Sequence, residues 1–145
     1  MSTSDAGASA GCCESPTACV FAKAMLARQA HCSLAGRHQQ AERTLVVCGS
    51  PVARTNCGLL AALLHERARF ALRLPPAGRP LMHHQALRLQ CGGVMALRQV
   101  LEAPDGDVHD LVGLAQERHA SLTDLPWDRL VPALVAWQSP RRHAR

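Results

Sequence analysis

Two cysteine pairs in this chain bracket Ser-Pro steps: "CESPTAC", Cys13 to Cys19, and "CGSPVARTNC", Cys48 to Cys57. Ser-Pro is a helix-start signal, since Ser caps an orphan backbone N–H and Pro at the first helical position gives up no needed donor. Each bracket therefore sets one thiol just upstream of a predicted helix and one inside its first two turns. Cys19 lies three residues past Pro16 and Cys57 six past Pro51. At about 100° per residue that difference is about 300°, so the two thiols leave their helices in nearly the same direction. Two such helix ends facing each other would converge Cys13, Cys19, Cys48 and Cys57 on one volume. The positive ends of two helix dipoles would then lower the thiol pKa values and stabilise an anionic centre.

Four converging thiolates are the donor set of an iron–sulfur cluster or of tetrahedral zinc. Structural zinc sites usually hold a tight Cys-x2–4-Cys pair, and this chain has none. A cluster, whose wider body accepts ligands from separate helices, ranks first, with the 4Fe–4S form ahead of 2Fe–2S and zinc as the alternative. Cys12 adjoins Cys13 and could replace it. Cys91 stands beside Gly92-Gly93, where a bulky inorganic group could approach the backbone, and is the other alternate ligand. Cys32 falls thirteen residues after Cys19, more than 200° round a continuous helix, and reads as a core residue unless the helix bends before Gly36.

The remaining chemistry is sparse. Among eight histidines, His83 sits three past Pro80 as Cys19 does past Pro16, yet no pair of histidines shows metal-ligand spacing. There is no Gly-rich phosphate fingerprint, no HExxH and no Gly-x-Ser-x-Gly, so an enzymatic role, such as a thiol enzyme built on Cys57, ranks behind the others. Seven cysteines, an odd number, argue against a disulfide framework and for a reducing, cytoplasmic setting.

The elements that must position these thiols read as helices. Hydrophobic residues make up 48% of the chain, but with two Phe, two Trp and no Tyr the interior falls to Leu, Ala and Val. Such a supply favours closely packed helices over a sheet. Ser15-Pro16 predicts a helix running to near Gly36, and Ser50-Pro51 a longer one stopped by Pro75-Pro76. A third runs from Pro80 to Pro104, with Gly92-Gly93 as a weak point or break. Shorter ones follow Asp107 and Thr123-Asp124, the last bent or shortened at Pro132. The stretch "ERTLVVCGS" is ambiguous between a short strand and a last helical turn. The expectation is an all-α single domain of about five helices. Its two cysteine-bracketed helices form an internal repeat that aligns Cys13 with Cys48 and Cys19 with Cys57. A small α/β fold with a βαβ unit through "TLVVC", "RFALRL" and "ALRLQ" is the alternative. Residues 1–11 read as a disordered leader, 12–138 as the metal-binding domain and 139–145 as a basic tail.

Between Pro16 and Ala103 only Glu42, Glu66 and Glu102 stand against eleven Lys and Arg. From Pro104 to Gln138 the balance reverses, with six acidic residues against Arg118 and Arg129. The scattered arginines, without a dense basic run or aromatic stacking platform, suit an acidic protein such as an electron carrier or reductase better than nucleic acid. No apolar run approaches the roughly 20 residues of a membrane span. The functional expectation is a small cytoplasmic iron–sulfur protein in electron transfer or in redox or iron sensing. The alternative is a helical interaction or adaptor protein with structural or zinc-bound cysteines.

Overall fold

A computed structural model of the chain describes residues 17–139. Its elements are α1 (Ala22–Leu26), β1 (Ala35–Gln40), β2 (Arg43–Cys48), α2 (Pro51–Leu72), α3 (His83–Val100), α4 (Val108–Arg118), a 3-10 turn (Leu122–Asp124) and α5 (Trp127–Ala136). The fold is mixed but dominated by helix, so the all-α expectation is corrected by the antiparallel hairpin β1–β2. The βαβ alternative fails as well, because "RFALRL" and "ALRLQ" lie in α2 and α3 or at their ends.

The first predicted helix is the main casualty. It does not continue to Gly36: α1 spans five residues and stops at Leu26. Arg28, at a left-handed φ of 62°, follows it. The Arg28 N–H donates to Met25 O (3.0 Å) and the Gln29 N–H to Ala24 O (2.9 Å), the paired bonds of a Schellman ending. The chain then reverses into β1. Cys19 precedes α1 rather than lying in a helix, and Phe21 is the residue at its N-terminal boundary. The two-helix repeat therefore does not survive as two equivalent helices, and its Ser15-Pro16 start falls outside the described residues.

The second predicted helix forms as expected. The Ser50 hydroxyl accepts from the Ala53 N–H (3.2 Å), Pro51 occupies the first turn, and Arg73 closes the helix in the left-handed region. α3 runs unbroken through Gly92-Gly93, whose missing side chains admit neighbours. A Cβ on Gly92 would lie 2.7 Å from the Leu134 carbonyl oxygen on α5, and one on Gly93 2.7 Å from Leu64 Cδ1 on α2. α4 begins at Asp107 and buries Val108, Leu111, Val112 and Ala115, the face its spacing predicts. α5 starts at Trp127, after the 3-10 turn, and buries Trp127, Leu130 and Leu134, with Pro132 accommodated inside it. α3 and α5 pack most extensively, with α2 against both, so the core is a Leu/Ala/Val bundle with the hairpin and α1 on its flank. Among the described residues no helix is long and apolar enough to cross a membrane.

Candidate functional site

A small cavity at the junction of the hairpin with α2 and α4 is lined by Cys19, Cys32, Cys48 and Cys57. Val20, Met25, Ala35, Ala53 and Val108 supply apolar walls, and Arg54 and His109 complete the lining. The four thiols come from four segments: a loop, a turn, a strand end and a helix. Three backbone devices bring them together.

The segment before α1 lies antiparallel beside β2, with Ala18 opposite Val47. The Cys19 N–H donates to Val46 O (2.8 Å), and the Cys48 N–H to Thr17 O (2.7 Å). Arg54 on α2 reinforces this pairing, its Nε donating to Ala18 O at 2.6 Å. Cys19, Cys48 and the first turns of α2 are thereby tied into one unit.

Hairpin register places Cys32. Ala35 pairs with Cys48, the Gly49 N–H donates to Leu34 O (2.8 Å), and the Ala35 N–H closes a turn on Cys32 O (3.1 Å). The turn itself is held by Asp107, a buried carboxylate that accepts from the Ser33 N–H and the Asp110 N–H, both at 2.7 Å. Burial works to raise this carboxyl, but the hydrogen bonds from Asp110 and Ser33, with His31 nearby, hold it below its ordinary value. The Val108 N–H donates to His31 O (2.9 Å), closing the same junction. Asp107 is thus both the cap of α4 and the anchor of the Cys32 turn.

Cys57 projects from the second turn of α2, where the sequence places it, and Cys48 ends β2 with its Sγ 3.3 Å from Ser50 O. Expected thiol acidity is reversed. Burial pushes Cys57 up to about 12, with further contributions from Cys32, Cys19 and Cys48. Cys19 is also raised, chiefly by burial; a backbone hydrogen bond at Phe21 opposes this, Cys32 and Cys48 add to it, and Arg54 opposes it. The apolar walls thus outweigh the helix starts at the site. Both thiols stay protonated at neutral pH, the opposite of an activated nucleophile.

No known protein-family model, curated protein or solved structure matches this chain. Its function must be argued from the cavity.

Of the four ligands expected from sequence, Cys19, Cys48 and Cys57 meet at the cavity, and Cys13 lies outside the described residues, as does its alternate Cys12. The fourth thiol described there is Cys32, which a continuous helix would have turned away and which the early end of α1 turns inward. Cys91 is elsewhere, buried in α3, its thiol pushed up to about 11 by burial, while Gly92 and Gly93 admit α5 and α2 instead of an inorganic group. His83 and His84 are exposed at the start of α3, away from the cavity lining. The five described cysteines form no disulfide.

Proposed function

We propose that this protein holds an iron–sulfur cluster on Cys19, Cys32, Cys48 and Cys57 and serves electron transfer or redox or iron sensing. One observation carries the reading: four thiols from four separate segments line a single, otherwise largely apolar cavity. Four thiols are the donor set of both 2Fe–2S and 4Fe–4S clusters. Thiols that raise one another's pKa repel as thiolates, and a cationic iron centre would remove that conflict. When bound, such a cluster supplies a one-electron store. The chain's own part would be to shield it behind Val20, Met25, Ala35, Ala53 and Val108, to place the Arg54 cation beside it, and to hold the ligand segments through Asp107 and β2.

The thiols as they stand are not spaced around a metal. Among the described residues, no three His, Cys, Asp or Glu side chains are arranged to hold a metal ion, and the space open to a water-sized guest is only about 20 Å³. Seating a cluster therefore requires the thiol side chains to swing outward. A single zinc on the same thiols is the second reading.

The basic surface, with Arg28, Arg37, Arg43, Arg67, Arg73 and Arg79 exposed, supports transient docking with an acidic protein such as an electron carrier or reductase. Nucleic acid is the less favoured partner. The deciding experiment is purification without oxygen followed by assay of iron, acid-labile sulfide and zinc. Stoichiometric iron and sulfide with visible charge-transfer absorption are expected. Zinc alone would select the second reading, and a metal-free protein that refuses reconstitution would overturn both.

A further inference from the structure

A second cavity, which shares Met25 with the thiol cavity, has a different character. It is an open cleft of about 500 Å³, lined by Met25, Arg28, Gln29, Ala30, His31, Arg37, Arg98, Pro104 and Asp105. That volume lies within the roughly 300–1,000 Å³ of small-molecule sites. Three guanidinium groups and an imidazole face a single carboxylate, Asp105.

Two of the three arginines are fixed by backbone oxygens. Arg37 donates through Nη2 to Met25 O (3.2 Å). Arg98 donates through Nε to Gly106 O (3.0 Å) and through Nη1 to Gln29 O (3.4 Å). A guanidinium carries five N–H donors, so most of the donors on both remain unspent. The Arg28 side chain makes no hydrogen bond or ion pair among the described residues. Arg28 also occupies the left-handed position that closes α1, a place suited to glycine and strained for an L side chain. Three permanent cations in one concavity, with no ion pair among the described residues, focus a positive potential into it. Guanidinium forks match the paired oxygens of phosphate and carboxylate.

We propose that this cleft binds a small, multiply charged oxyanion, a phosphate ester or a polycarboxylate, held by Arg28, Arg37 and Arg98. The cleft shares Met25 with the thiol cavity, but binding there does not require any metal on the thiols.

The test is calorimetric titration of the intact chain with pyrophosphate and, separately, with citrate, at constant ionic strength. Saturable binding of one or both is expected. Pyrophosphate alone would identify the phosphate class and citrate alone the polycarboxylate class. Arg28→Ala and Arg37→Gln should each weaken it at least fivefold, while Arg79→Ala, an exposed arginine outside the cleft, should leave it within a factor of two. Arg98 is left in place because its bonds to Gly106 and Gln29 also hold the fold. Chemical-shift mapping on the unsubstituted protein gives an answer that does not depend on variants folding: the His31 ring and Arg28 side-chain signals should move, and those of Arg79 should not. Binding of neither anion, equal loss in the Arg79→Ala control, or shifts spread evenly over surface arginines would overturn the proposal and leave these arginines to partner docking.

Discussion

Cys57 is the residue at which sequence and environment pull hardest against each other. A thiol near a helix start should be acidic, yet apolar walls and three neighbouring thiols push it up to about 12. In the unfolded chain it ionises near 9. Between those two values the folded state keeps a proton that the unfolded state has lost, so stability falls as pH rises through that window. The melting temperature of reduced, metal-free protein is therefore expected to drop from pH 8 to pH 10.5, and Cys57→Ala should flatten part of that slope. An unchanged slope in the variant would show that Cys57 is not responsible. Ligand assignment is also a residue-scale question. Cys19→Ser, Cys32→Ser, Cys48→Ser and Cys57→Ser should each lose most bound metal, whereas Cys91→Ser should keep it, because Cys91 is buried in α3 away from the cavity lining. Full occupancy in Cys32→Ser would remove that thiol from the proposed site.

Among the elements, α3 shows how a glycine pair can mean close packing instead of a break. Gly to Ala in a helix normally stabilises by roughly 0.5–1 kcal/mol. At Gly92 the new Cβ would meet a backbone oxygen of α5 at 2.7 Å, which no rotamer change relieves. Gly92→Ala is expected to destabilise by about 1–3 kcal/mol, as overpacked cores do. Gly113→Ala on α4, where a Cβ meets nothing within 4 Å, should stabilise slightly. Equal effects in urea denaturation would contradict the close approach of α3 and α5. Asp107 joins two elements, and its removal should act on both. Asp107→Ala should cost about 1–2 kcal/mol through the lost cap and should also lower metal occupancy, by freeing the Ser33 N–H and the Cys32 turn. Retained occupancy in a destabilised Asp107→Ala would confine its role to α4.

At the scale of the whole molecule, the thiol cavity lies where the hairpin and the segment before α1 meet a bundle that is complete without them. Phe21, Met25 and Val46 bury that flank, while Leu60, Leu64, Leu97, Leu111, Leu130 and Leu134 make the bundle's own interior. Metal removal should therefore act regionally. After chelation, amide exchange is expected to speed up across residues 17–48 and hardly at all in α3 and α5, with most helical circular dichroism retained. Uniform loss of protection would mean that the metal centre holds the entire fold. The charge distribution acts at the same scale, and docking to an acidic electron carrier should weaken steeply from low to physiological salt, since exposed pairs are screened within roughly 8–10 Å. Salt-independent binding would place the contact on an apolar face instead.

Local signals determined much of this protein. The Ser50-Pro51 start of α2, the Asp107 start of α4 and the buried face of α4 follow from caps and from apolar spacing, which are properties of a few adjacent residues. On α2 the same spacing takes in Leu59 and Phe70, which are exposed beside the buried Leu60, Leu63 and Leu64. The hairpin was hidden for equally local reasons. β1 is exposed at five of six positions, so no apolar alternation marks it, and Ala41 takes the left-handed turn position (φ 57°) that Gly or Asn would have advertised. Arg28 likewise ends α1 where a glycine would have been the signal. With those two reversals unmarked, Cys32 looked like one more residue on a long helix. Its place beside Cys48 depends on strand register and on a carboxylate 74 residues from the Ser33 N–H it holds. Thiol spacing along the chain could suggest that cysteines gather, but which four meet at the described cavity was decided by long-range pairing, because only tertiary contacts turn separate segments toward one volume.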